Sequence, residues 1–129
     1  MNTKWIMIAT SLLLGVSGIA LTFAPDLIIG SLGVNPSQVS IIFGQILGAL
    51  YFGFAMLDWM TKESLIGGIY NRPVAVANFT HFMIAGLALV KASISNPQIP
   101  ILLILVSGVY AVLALLFGIL LFRHPIPDK

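Results

Sequence analysis

Four apolar stretches run along the chain, and each carries a line of small or polar residues at alternating 4-3 spacing. The first line is Ser11, Gly15, Gly18 and Thr22, and the second is Gly44, Gly48, Tyr51, Ala55 and Asp58. The third is Asn78, His81, Ala85, Ala88 and Ala92, and the fourth is Ser107, Ala111, Ala114 and Gly118. A 4-3 repeat keeps residues on one side of a helix. The pattern therefore predicts four helices, each with an inner seam unlike its oily exterior. In lipid, small residues mark close helix approach, and polar residues turn inward because hydrocarbon cannot satisfy them.

The predicted spans are about 5–24, 39–60, 73–92 and 100–122. Each is long enough to cross a ~30 Å hydrocarbon core at ~1.5 Å per residue. Pro73 suits a first helical turn, with Asn71 as a candidate cap. Between the first two spans, residues 25–38 hold the loop signals Pro25, Gly30, Gly33 and Pro36. The apolar residues among them predict a segment lying in the membrane interface. Residues 61–72 form the central connection and Ser93–Gln98 a short turn. No linker or low-complexity tract interrupts the pattern, so residues 1–129 are read as one four-span domain: an all-α membrane protein, an antiparallel four-helix bundle.

Composition strengthens this picture. Of 129 residues, 59% are hydrophobic and 8% charged, against roughly 25% charged in soluble domains. A water-soluble fold this poor in charge could not cover its own surface. The net charge is only +2, and the basic residues are spread singly, which excludes a nucleic-acid footprint. The absence of cysteine excludes disulfides and thiol redox chemistry.

Charge placement then predicts orientation. Four spans put the N-terminus, the central connection and the C-terminus on one side, with Lys4, Lys62, Arg72, Arg123 and Lys129. Only Lys91 belongs to the other side, where it can snorkel to the headgroups. That bias predicts cytoplasmic termini. Lys4 and Gly18-x-Ala20 also resemble a signal peptide. The apolar run exceeds the usual ~7–15 residue signal core and carries its own seam, so the first span is read as a retained helix.

Counting ~1.5 Å per residue from the cytoplasmic ends puts Asp58 ~3 Å deep, Asn78 ~7 Å, Ser11 ~9 Å, and His81 and Tyr51 ~12–14 Å. All five are seam residues, and together they predict a polar recess open to the cytoplasm. Ala111, Ala114 and Gly118 would remove bulk from its facing wall. Asn78-x-x-His81 places two polar side chains on one helix face. His81 has two readings: a group that relays protons or binds a polar ligand, or a neutral imidazole bonded to Tyr51, Ser11 or a backbone carbonyl, holding helices together. Asp58 could accept a proton or bind a cation. Its shallow depth favours a helix-end carboxylate in the headgroup zone, paired with Arg72 or Lys62. Gln45 is read as an amide bonded to a neighbouring helix, and Gly44-x-x-x-Gly48 as internal close packing. Trp5, Trp59 and Tyr70 are interface anchors.

Several chemistries lack their motifs. A second intramembrane histidine is missing, which removes bis-His haem ligation within one subunit, and His124 lies at the end of the fourth span. There is no HExxH, paired-carboxylate metal site, Walker sequence or GxSxG nucleophile. Catalytic residues, metals and cofactors are accordingly not expected.

Leu21-x-Phe-Ala-Pro25-Asp26, followed by a glycine-rich second span with Phe43-Gly44-Gln45 and Gly53, resembles the DoxX-like class of small bacterial four-helix membrane proteins. The resemblance covers topology along the whole chain. Relatives often carry an arginine before the second-span glycine pattern, where the nearby polar residue here is Gln45. The class implies a bacterial inner-membrane location and no particular activity.

The resulting expectation is a binding or accessory membrane protein. His81 and Asn78 would orient a small or lipid-like ligand, supported by Tyr51, Ser11 and Asp58. Its partners would be membrane lipids and either a second copy or another membrane protein. The alternative is a subunit of an oligomeric transporter or channel.

Overall fold

A computed structural model describes residues 2–64, 66 and 68–123. Every regular element among them is helical: α1 Thr3–Phe23, α2 Pro25–Ser31, α3 Gln38–Thr61, a 3-10 turn at Ile69–Asn71, α4 Arg72–Ser95 and α5 Ile101–Phe122. Four of these are long and apolar enough to cross a membrane. The predicted spans match them to within three residues at each end. The chain divides into two compact units, Asn2–Lys62 and the part from Glu63 onward.

The first unit is a hairpin of α1 and α3 with α2 on its connection. Asn2 starts α1 by accepting a hydrogen bond from the Lys4 amide. Ser37 starts α3 through a capping box with Ser40, in which each side chain binds the other's backbone N–H. The predicted seams are the contact surface. Ser11 Oγ donates to the Ala55 carbonyl across the pair at 2.7 Å. A Cβ placed on Gly15 would lie 3.5 Å from the Ala55 Cβ. Gly18 lies against Gly48 and Phe52, and Gly48 against Thr22. Partners of successively later α1 residues come earlier in α3. Gln45 Nε2 makes a long contact of 3.5 Å to the Thr22 carbonyl, so the expected link to a neighbouring helix is present.

Residues 25–38 depart from the expected loop, because their first half is the helix α2. Pro25 stands at its first position with φ already set for a helix, and Asp26 sits in its first turn. The chain leaves that helix at Gly33, whose φ of +76° suits a residue without a Cβ. Pro25 and Ile29 approach Gly44 closely, so this glycine serves α2, while Gly48 serves α1.

The second unit pairs α4 with α5. Pro73 sits in the first turn of α4 as expected, whereas Asn71 holds the cap position without a side-chain hydrogen bond. The helix runs three residues past its expected end. Ser93 Oγ donates to the Leu89 carbonyl at 2.8 Å, and the Asn96 amide closes on Ala92 at 3.0 Å. Asn96 is extended, as the residue before a proline tends to be.

The seams of this second hairpin differ from the expected ones. On α4 the buried line is Val74, Ala75, Asn78, Phe82 and Gly86, and Ala88 and Ala92 are exposed. On α5 it is Ser107, Tyr110, Leu113, Ala114, Phe117 and Leu120. Rings fill the interface here. Phe82 stacks on Phe117 with centroids 5.8 Å apart, and the Phe79 ring lies 3.1 Å from where a Gly118 Cβ would be. Gly118 thus does not open a wall; it receives Phe79.

Candidate functional site

The five expected site residues fall into two groups. Ser11, Tyr51 and Asp58 belong to the first hairpin, and Asn78 and His81 to the second.

In the first hairpin the seam of α3 brings Tyr51, Ala55 and Asp58 onto one face at 4-3 spacing. Ser11 binds the Ala55 carbonyl, one turn from Asp58, so Ser11 and Asp58 share a neighbourhood. Tyr51 lies one turn to the other side and is only partly buried. Asp58 is near the end of α3, as expected, but its side chain is 0% exposed. Lys62, one candidate partner for it, places Nζ 3.6 Å over the Trp59 ring and 3.3 Å from the Trp59 carbonyl. On a helix apolar enough to cross a membrane, an ionisable group would be costly to bury in hydrocarbon.

Thr10 joins these residues as one that the seam pattern missed. It is fully buried, and its hydroxyl has no hydrogen-bond partner among the described residues. By contrast, the hydroxyls of Thr22, Thr61 and Ser93 close on the carbonyl four residues back at 2.7, 2.7 and 2.8 Å. Thr10 lies between Met7 and Leu14 at helical spacing, and that line of three marks it as inward-facing.

In the second hairpin Asn78 is fully buried. Its Nδ2 donates to the Val74 carbonyl at 3.1 Å, which ties the amide to its own helix. His81, one turn on, is partly buried and set among rings. Its centroid is 5.0 Å from Phe82 and 5.5 Å from Tyr110. Although Tyr51 stood in the second line, the seam pattern followed Ala111 in the fourth and left out Tyr110. Its spacing of three from Ser107 is the signal that points to it.

Trp5 and Tyr70 are exposed at 66% and 95%, in keeping with aromatic anchors. His124 and Lys129 lie outside the described residues. No group of three or more histidine, cysteine or acidic residues able to hold a metal occurs among the described residues. An open groove of about 520 Å³ runs along the first hairpin beside α2, lined by Leu21, Ile28, Ile29, Phe43, Gly44 and Leu47 among others. Ser37 and Ser40 supply its hydroxyls, and the capping box already engages both.

No family model, curated protein or solved structure matches the chain.

Proposed function

We propose that the protein is a small multi-pass binding or accessory protein of a bacterial inner membrane. Its four long helices cross in alternating, antiparallel directions with both termini in the cytoplasm. Asn78 and His81 of the second hairpin supply polar contacts for a small or lipid-like ligand entering from the cytoplasmic side, and Ser11, Tyr51 and Asp58 form a separate polar group on the first hairpin. The observation that carries this reading is the complete burial of Asp58 and Asn78 on helices otherwise suited to hydrocarbon. Groups that hydrocarbon penalises are placed where a polar ligand would find them. The DoxX-like resemblance supports the bacterial membrane setting.

The test uses the intact chain extracted in mild detergent, with co-purified small molecules and phospholipids quantified by mass spectrometry. His81→Phe is expected to accumulate normally and to lose a species that the unaltered chain retains. If the variant fails to accumulate in the membrane, His81 holds helices together and the binding reading loses its main residue.

A second reading, an oligomeric transporter or channel subunit, also draws on Asp58, since intramembrane carboxylates mark ion pathways. Four spans would form a pathway only with further copies or a partner. Mass measurement in nanodiscs separates the two, because a stable monomer removes the transporter reading.

A further inference from the structure

We infer that Tyr110 is the positioning residue for His81, fixing the direction in which the imidazole is presented. The inference rests on the reading of His81 as a ligand-binding group and adds a residue of α5 to it. Backbone conformation alone does not set a histidine ring, because its second torsion is broad and roughly two-fold. Neighbouring groups set it, and rings are among them.

Two ring neighbours of His81 are described, and they come from different helices. Phe82 follows it in sequence and meets it edge-on, at 5.0 Å and 68°. Tyr110 approaches from α5 at 5.5 Å and 59°. Tyr110 also meets Phe82, at 5.1 Å and 83°, so it contacts both the imidazole and the ring beside it. Phe82 is held in turn by Phe117. Gly86 faces Tyr110 on α5: a Cβ there would lie at ordinary contact distance, 3.5 Å, from the Tyr110 Cβ. Tyr110 is 4% exposed and its ring is confined. Edge-to-face and tilted rings attract through their quadrupoles, so the cluster prefers one arrangement over its rotamers. A ligand reaching His81 then meets an imidazole already ordered, and binding loses less entropy.

The experiment is magnetic resonance of histidine-labelled full-length protein in lipid nanodiscs, with His81 assigned by its loss in His81→Gln. In the unaltered chain the imidazole carbon-bound protons should give one narrow, ring-shifted set. Tyr110→Leu should move that set toward the shifts of free imidazole and broaden it, and Tyr110→Phe should restore it. Phe117→Leu removes a ring that touches Phe82 and should leave the His81 set in place. The inference is overturned if Tyr110→Leu changes nothing, if Tyr110→Phe fails to restore the set, or if Phe117→Leu moves it as far. The signature is read without ligand, so its failure removes the positioning role alone. Retention of every co-purified species by His81→Phe would remove the binding reading alone.

Discussion

Gly18 and Gly48 face each other across the first hairpin with no room for a methyl group on either. A Cβ on Gly18 would lie 2.8 Å from the Gly48 carbonyl oxygen, and one on Gly48 would lie 2.8 Å from the Gly18 carbonyl oxygen. Both obstacles are backbone, which cannot swing aside as a side chain could. Helices in lipid associate through close packing rather than through exclusion of water, so this contact contributes directly to the pairing of α1 and α3.

Gly18→Ala or Gly48→Ala should therefore separate the helices locally and cost about 1–3 kcal/mol, the range for overpacking. Gly53 lies on the same helix with nothing within 4 Å of a Cβ. Gly53→Ala should stay within ~0.5 kcal/mol, as surface changes do. Reversible unfolding in mixed micelles measures all three. Equal effects at Gly48 and Gly53 would mean that the close contact does not hold the hairpin.

The first hairpin was legible in the sequence because its packing uses the residues that the pattern selected. Ser11, Gly18, Gly48 and Ala55 are small, and small residues at helical spacing have few other uses inside a membrane helix. The second hairpin was not. Phe82, Tyr110 and Phe117 are large, and in lipid a large apolar ring suits an outward face as well as an inward one. Apolar periodicity therefore loses its meaning there. Only Asn78 and Ser107, whose polarity penalises the outward side, stayed on the buried lines as expected, together with the small Ala114. A different signal hid α2: Pro25 and Gly30 within it, and Gly33 and Pro36 after it, are loop signals, yet Pro25 initiates the helix and lies against Gly44.

Asp58 separates structural from ligand-directed burial. A carboxylate that the fold requires, removed from its setting, costs about 3–5 kcal/mol because what remains is left uncompensated. One whose burial the fold does not repay is a net cost to folding, so an apolar side chain of similar volume leaves folding unimpaired. Asp58→Leu is expected to accumulate at least as well as the unaltered chain and to unfold no earlier in micelles. Loss of the folded form would assign Asp58 to the fold and remove it from the site.

The absence of cysteine makes the topology directly testable. Single cysteines at Asn2, Glu63, Asn35 and Gln98 would each be the chain's only thiol. With four alternating spans and the basic residues inside, Asn35→Cys and Gln98→Cys should react with an impermeant maleimide added to intact cells depleted of the outer membrane. Asn2→Cys and Glu63→Cys should react only after lysis. Reaction of Glu63→Cys and Gln98→Cys from the same side would contradict a membrane crossing by α4.

Phe82 offers the sharpest test of how the second hairpin is held. Its side chain is fully buried and meets Tyr110, Phe117 and His81. In water, truncating such a residue removes both its transfer energy and its contacts, at about 3–5 kcal/mol. In lipid the transfer part largely disappears, because acyl chains are as apolar as the core. The cavity and its lost dispersion contacts remain, at roughly 24 cal/mol per Å³ of space left unfilled. Phe82→Ala should thus destabilise the protein by ~2–3 kcal/mol, while Phe82→Leu, which refills most of the volume, should stay under ~1.5 kcal/mol. Phe23, 83% exposed at the end of α1, gives the comparison: Phe23→Ala opens no cavity and should stay within ~0.5 kcal/mol. Micelle unfolding of the three variants reads the difference. A cost for Phe82→Ala no larger than that for Phe23→Ala would mean that ring packing does not hold α4 against α5.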